Sequence, residues 1–212
     1  FHEFGHGLQH MLTNIDEALV AGINNIEWDA VELPSQFMEN WCYEKETLMS
    51  YAVHYKSEEK LPEELYHKIL KRNKYQVANG INRQIYFSML DLYVYENNIK
   101  DIYDAQKKIS KKYLVKEIDE EDRFLCSFEH IFVGGYSAGY YSYKWAEIMS
   151  LDAYEAFEDY MKENKDIKEL GLRFRRTILE KGGSEEPMEV FKQFRKREPS
   201  SESFMKHYGL IK

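Results

Sequence analysis

The 212-residue sequence predicts an all-α fold, mainly helical with at most a short strand, and three observations carry that expectation. Only four prolines (Pro34, Pro62, Pro187 and Pro199) punctuate the chain, apolar residues between them recur at three- and four-residue spacing, and alternating strand patterns are scarce. Taken in order, helices are expected over 1–12, 30–55, 62–74, 76–97, 101–111, 136–163, 166–180, 187–196 and 200–207. Pro62 and Pro187 suit first-turn positions, where a missing amide hydrogen costs nothing, and Ser200 suits an N-cap whose hydroxyl takes up an orphan amide. YLVKEI at 113–118 is the best alternating stretch, too short to build a sheet and expected as an isolated extended segment. The charge clusters KSEEK at 56–60 and EIDEED at 117–122 read as solvated connections.

Composition narrows the function classes. A hydrophobic content of 43% supports one compact domain over 1–212, or at most two small cores, and no solenoid repeat is present. The 37 acidic against 29 basic residues leave a net charge of -8. That balance argues against nucleic-acid and anionic-membrane partners, because attraction to phosphate needs clustered Lys and Arg. No stretch approaches 18 consecutive apolar residues, and the first residues are a His-Glu motif rather than a basic-then-apolar leader; neither a transmembrane helix nor a signal peptide is expected. Cys42 and Cys126, without CxxC spacing, read as buried free thiols of a reduced, cytoplasmic chain.

The chemistry concentrates in the first residues, FHEFGHGLQHML. On a helix, positions four apart share one face a turn of about 5.4 Å apart, so His2 and His6 can turn two imidazoles to one ion with Glu3 beside them. Zinc takes neutral imidazole nitrogens, keeps an open position in catalytic sites and acidifies water, and Glu3 can accept the proton as general base. With seven His and 27 Glu, HExxH arises by chance in only roughly 3% of shuffled chains, which favours a functional reading. A metzincin would need Gly at 9 and His at 12, where Gln9 and Leu12 stand. His10 continues the stripe but lies about 12 Å along the axis from His2, too far to share an ion. The third ligand is then a carboxylate of EWDAVELPSQFMENWCYE, which offers Glu27, Asp29, Glu32 and Glu39; spacing alone does not choose.

A second segment, HIFVGGYSAGYYSYKWAE at 130–147, places Tyr136, Tyr140 and Tyr143 at i, i+4 and i+7. In a helix the three phenols share one face, and from the residues alone a tyrosine stripe is ordinarily core packing. GGYSAG has neither the spacing nor the Lys of a phosphate cradle.

FHEFGHGLQHML followed by VELPSQFMENW resembles the thimet oligopeptidase family of zinc metallopeptidases, in its bacterial oligopeptidase A and dipeptidyl carboxypeptidase branch. The resemblance implies a zincin-type catalytic portion holding one Zn2+ through His2, His6 and Glu32, with Glu3 as general base. Ligating histidines also need partners for their second ring nitrogens, and Gln36 and Glu39 are candidates. By the same resemblance, His130 contacts substrate, Tyr136 and Tyr143 bind the substrate carbonyl and its oxyanion, and Tyr140 is a further contact. Gly134 and Gly135 would let the backbone bend so that a tyrosine swings in with substrate. The tail GGSEEPMEVFKQFRKREPSSESFMKHYGL resembles the family's closing segment, with Arg195 and Arg197 expected in structural ion pairs.

Family members are much longer chains. The resemblance therefore implies the C-terminal part of a catalytic domain, lacking an N-terminal region that walls one side of a substrate channel. The implied function is hydrolysis of peptide bonds in short oligopeptides, as an endopeptidase or a dipeptidyl carboxypeptidase. Two other readings stand beside it: a catalytically inactive helical fragment of such an enzyme, whose first amides lack upstream support, and a metal-free helical scaffold.

Overall fold

The computed structural model describes residues 1–211 and is all-α. Among the described residues the one β feature is an isolated antiparallel bridge between Val53 and Lys60. YLVKEI forms no strand: Tyr113 closes a helix, Leu114 is extended, and Val115 is exposed. The chain divides into two compact units, Phe1–Tyr75 with Trp145–Lys212, and Gln76–Lys144. Each has its own core, so two cores form rather than one.

The larger unit opens with α1 (His2–Met11), α2 (Trp28–Val31), α3 (Leu33–Asn40), α4 (Lys45–Tyr51) and α5 (Glu63–Lys74). The single helix expected over 30–55 is thus broken into three. Pro34 supplies the first break: it has no amide hydrogen to donate and suits only a first turn, so α3 restarts there with Glu32 at the joint. Glu44 makes the second, its carboxylate accepting from the amides of Glu46 and Thr47 as the N-cap of α4. Pro62 precedes the first turn of α5 as its N-cap rather than lying inside it.

The smaller unit holds α6 (Val77–Glu96), α7 (Ile102–Tyr113), the short α8 (Phe124–Ser127) and a 3-10 turn at Glu129–Ile131. Asp101 caps α7 by accepting from the amides of Tyr103 and Asp104. Its core gathers Tyr86, Phe87 and Leu90 of α6 with Ile109, Leu125, Phe128 and Ile131. Phe87 stacks on Phe124 at 4.5 Å between ring centroids. Such offset aromatic pairs add about 0.5–1.5 kcal/mol beyond their buried area.

α9 (Ser142–Lys162) starts in the last residues of the smaller unit and continues in the larger one, followed by α10 (Ile167–Thr177), α11 (Pro187–Arg195) and α12 (Glu202–His207). Pro187 takes the first helical position of α11, as its fixed φ favours. Ser200 Oγ accepts from the Glu202 amide at 3.1 Å and so does capping work one residue before the formal cap. In the larger core Phe37 of α3 stacks on Phe174 of α10 at 4.2 Å, Phe157 of α9 packs against both, and Phe191 and Phe194 of α11 are fully buried.

Arg195 and Arg197 are structural, as expected. Both reach the fully buried Asp152 of α9, Arg195 Nε at 2.8 Å and Arg197 through both terminal nitrogens at 2.6 Å, while the Ser200 amide donates to it at 2.7 Å. The thiols are free but not buried: Cys126 is exposed and Cys42 half-buried, because α8 and the turn after α3 lie at the surface of their units.

Candidate metal centre and tyrosine cluster

α1 and α3 touch through their backbones. A Cβ on Gly5 would lie 2.5 Å from Ser35 Cα and 2.6 Å from the Pro34 carbonyl oxygen, so only glycine permits this approach. The approach carries the joint at Glu32 to the histidine face of α1. Glu32 is 5% exposed, with Oε2 3.4 Å from His2 Nε2 and 3.2 Å from His6 Nε2. The three ligand atoms all lie within 4.8 Å of one another. Four ligands at zinc bond lengths near 2.0–2.1 Å in a tetrahedron sit about 3.3 Å apart, and the two measured separations match that spacing. The donor set, two imidazole nitrogens and one carboxylate oxygen, is one that suits zinc.

Supporting contacts hold the set in place. Ser35 Oγ donates to Glu32 Oε2 at 2.7 Å, and Glu39 Oε1 lies 2.6 Å from His2 Nδ1, fixing the ring so that Nε2 faces Glu32. Glu39 was one of four candidate ligands, and it contacts His2 Nδ1 from outside the converging group instead. Glu27 and Asp29 are outside the converging group. Hydrogen bonding to the Glu32 carboxylate raises the His6 imidazole above its ordinary value, against the opposing pull of burial. The same buried negative charge favours a cation between them. Glu3 follows His2 on α1 with its side chain exposed, outside the converging set and free to act toward solvent. His10 packs on Gly22, where a Cβ would meet its Nδ1 at 2.4 Å, and takes no part in the group.

The tyrosines come together by a different route from the one expected. α9 begins at Ser142, not 136, so Tyr136 and Tyr140 lie in the loop before it and share no helical face with Tyr143. They cluster nonetheless. Tyr136 and Tyr143 stack at 4.5 Å, Tyr140 lies 5.3 Å from Tyr143, and the exposed His130 is 5.7 Å from Tyr140 and 6.0 Å from Tyr143. The helical spacing fails because the backbone turns left-handed at Ala138, with φ of 54°, and a tight turn over 137–141 replaces the first helical turn. A Cβ on Gly134 would lie 2.8 Å from His130 Cα, and Gly135 has φ of 87°. Tyr140 is buried, donates from its hydroxyl to Gln84 Oε1 at 3.2 Å, and is pushed up to about 12 chiefly by burial.

Sequence reasoning missed two residues here. Ser35, within VELPSQ, orients Glu32, and its only signal was its place one turn beyond a candidate ligand. Asp91, a fully buried carboxylate of α6, anchors the tyrosine loop, and its signal was a lone acid in the apolar run YFSMLDLYVY.

No helix of the described residues is long and apolar enough to cross a membrane. Residues 1–210 match the model of Peptidase family M3. The chain is 56% identical, over its full length, to organellar oligopeptidase A of Arabidopsis thaliana, of which it covers 27%. It is 47% identical to oligopeptidase A and 32% identical to dipeptidyl carboxypeptidase, both of Escherichia coli, with 99% of this chain and 31% of each relative covered. The chain therefore spans less than a third of the length of these relatives. An HExxH helix whose two histidines converge with a buried glutamate from the α2–α3 joint agrees with a match that runs nearly end to end: the chain belongs to Peptidase family M3.

Proposed function

We propose that this chain carries the catalytic residues of a zinc-dependent oligopeptidase that cleaves peptide bonds in short peptides. The observation that carries the reading is the convergence of His2, His6 and the buried Glu32 within 4.8 Å. Bound there, one Zn2+ would supply Lewis acidity, acidifying water toward neutral pH and polarising a peptide carbonyl. Glu3 accepts the proton of the attacking water and delivers it to the leaving amine nitrogen. Phenol hydroxyls of Tyr136 and Tyr143 donate to the oxygen on which negative charge develops, and His130 contacts the substrate. Tyr140, Gly134 and Gly135 shape the loop that presents them. The names of the oligopeptidase A relatives support the substrate class, and the presence of dipeptidyl carboxypeptidase among them keeps both cleavage modes in play.

Within this reading the working enzyme is longer, and an N-terminal portion of it completes the channel. The 27–31% coverage of the relatives favours a second reading for the 212 residues alone: an assembled metal site without turnover. We place the enzyme in the cytoplasm; the relatives' names include both an organellar and a probable cytosolic form, and imaging of a tagged protein decides between them.

The test is metal content and turnover of the longer enzyme. One zinc per chain is expected, abolished by His2→Ala or Glu32→Ala. Glu3→Gln is expected to keep zinc and lose hydrolysis of a quenched peptide by a factor of about 100 or more. Full turnover in Glu3→Gln defeats the general-base role, and full zinc content in Glu32→Ala defeats the ligand set.

A further inference from the structure

The loop that carries the tyrosines is held by one stripe of α6. Gln84, Asp91 and Tyr95 are spaced seven and four apart, which places them on a single helical face. Gln84 takes the Tyr140 hydroxyl at one end, and the Tyr95 hydroxyl donates to the Ile131 carbonyl at the other. Between them sits Asp91, with no solvent exposure. Its Oδ1 accepts from the Ala138 amide and its Oδ2 from the Tyr140 amide, each at 2.9 Å, while the Gly139 amide between them donates to the Tyr136 carbonyl at 2.9 Å.

The amides of Ala138 and Tyr140 can converge on one carboxylate only if the backbone curls, and Ala138 has the left-handed φ of 54° that does so. A buried carboxylate in a wholly apolar setting would be costly, and burial does push Asp91 above the ordinary carboxylate range, with the backbone amides of the loop pulling it back. A charged group kept fully buried with all its partners in one loop is a device for fixing that loop. Neighbouring contacts have the same effect: Ser137 Oγ donates to the Ile131 carbonyl at 2.9 Å and the Tyr136 amide to the His130 carbonyl at 2.9 Å.

We propose that Asp91 is a positioning residue for hydrolysis: by gathering the amides of Ala138 and Tyr140 it sets where Tyr136 and Tyr143 present their hydroxyls. The proposal rests on the tyrosine roles given under Proposed function. Asp91 touches no substrate itself. Its effect runs through the loop, so its loss falls on turnover rather than on metal.

In the longer enzyme, Asp91→Asn tests this, since one side-chain NH2 must then face a backbone amide and one of the two gripping contacts is lost. The expected result is unchanged zinc content, kcat lower by about 10- to 100-fold, and KM nearly unchanged. Added to Tyr136→Phe/Tyr143→Phe, Asp91→Asn is expected to cost less than about 2-fold more, because the groups it positions are gone. A merely structural role would give losses that multiply. Full kcat in Asp91→Asn alongside impaired Tyr→Phe variants overturns the proposal, as do fully multiplying losses. Full kcat/KM in the Tyr→Phe variants removes the tyrosine reading and this proposal with it. Should Asp91→Asn fail to fold, Ala138→Val makes the same test from the exposed side of the clamp, disfavouring the left-handed turn without touching α6, with the same results expected and the same ones overturning it.

Discussion

Glu39 Oε1 lies 2.6 Å from His2 Nδ1, on the opposite edge of the ring from the Nε2 that faces Glu32. A carboxylate in that position fixes the tautomer and raises the basicity of the ligating nitrogen. Glu39→Gln is therefore expected to weaken zinc binding by about 10- to 100-fold while leaving the helices intact. A competition titration against a chelator reads the affinity, and circular dichroism reads the fold. Unchanged affinity would mean that the contact, which is half exposed on the Glu39 side, orients nothing.

Gly5 is the point at which α1 and α3 meet backbone to backbone. Gly5→Ala adds a methyl where Ser35 Cα is 2.5 Å away, so the helices must separate, at a cost of about 1–3 kcal/mol. Because Glu32 rides on that crossing, zinc affinity is expected to fall with stability. Denaturant unfolding with and without zinc separates the two effects. An alanine variant with both unaltered would show that the crossing does not set the ligand geometry.

These two contacts show what could be read from the residues and what could not. Helical periodicity and HExxH fix where His2, Glu3 and His6 point relative to one another, because a helix makes spacing into geometry. Glu32 could not be chosen from four acids that way, since its place depends on a glycine-mediated crossing between two helices. The tyrosine segment shows the converse. Its i, i+4, i+7 spacing suggested a shared helical face, yet the rings assemble through a glycine-rich turn gripped by Asp91, a long-range contact that spacing does not encode. The break of the expected helix 30–55 was legible in Pro34, which has no amide hydrogen to donate and suits only a first turn.

Asp152 is fully buried and accepts from Arg195, Arg197 and the Ser200 amide. Removing one side of a buried ion pair strands the other, so Asp152→Ala is expected to destabilise the larger unit by about 3–5 kcal/mol. Arg197→Ala should cost less, because that side chain is 40% exposed and solvent already screens it. Urea midpoints of the two variants give the comparison. Equal, small shifts would reduce the network to surface decoration.

Alkaline pH offers a handle on the smaller core. Tyr86 and Tyr140 are buried there, and burial raises each phenol from the ordinary value near 10 to about 12. The folded state therefore favours the neutral phenols, while an unfolded chain releases their protons near 10. Their contribution is fully present below pH 10 and is lost as the pH rises from about 10 to about 12. Tyr140→Phe removes one titrating hydroxyl and its bond to Gln84, so it should lower stability at neutral pH by about 0.5–1.5 kcal/mol yet flatten the alkaline decline. Urea midpoints across that pH range, for both proteins, report the two slopes. Parallel slopes would mean that Tyr140 ionises as easily in the fold as outside it, and that its ring is not held in the core.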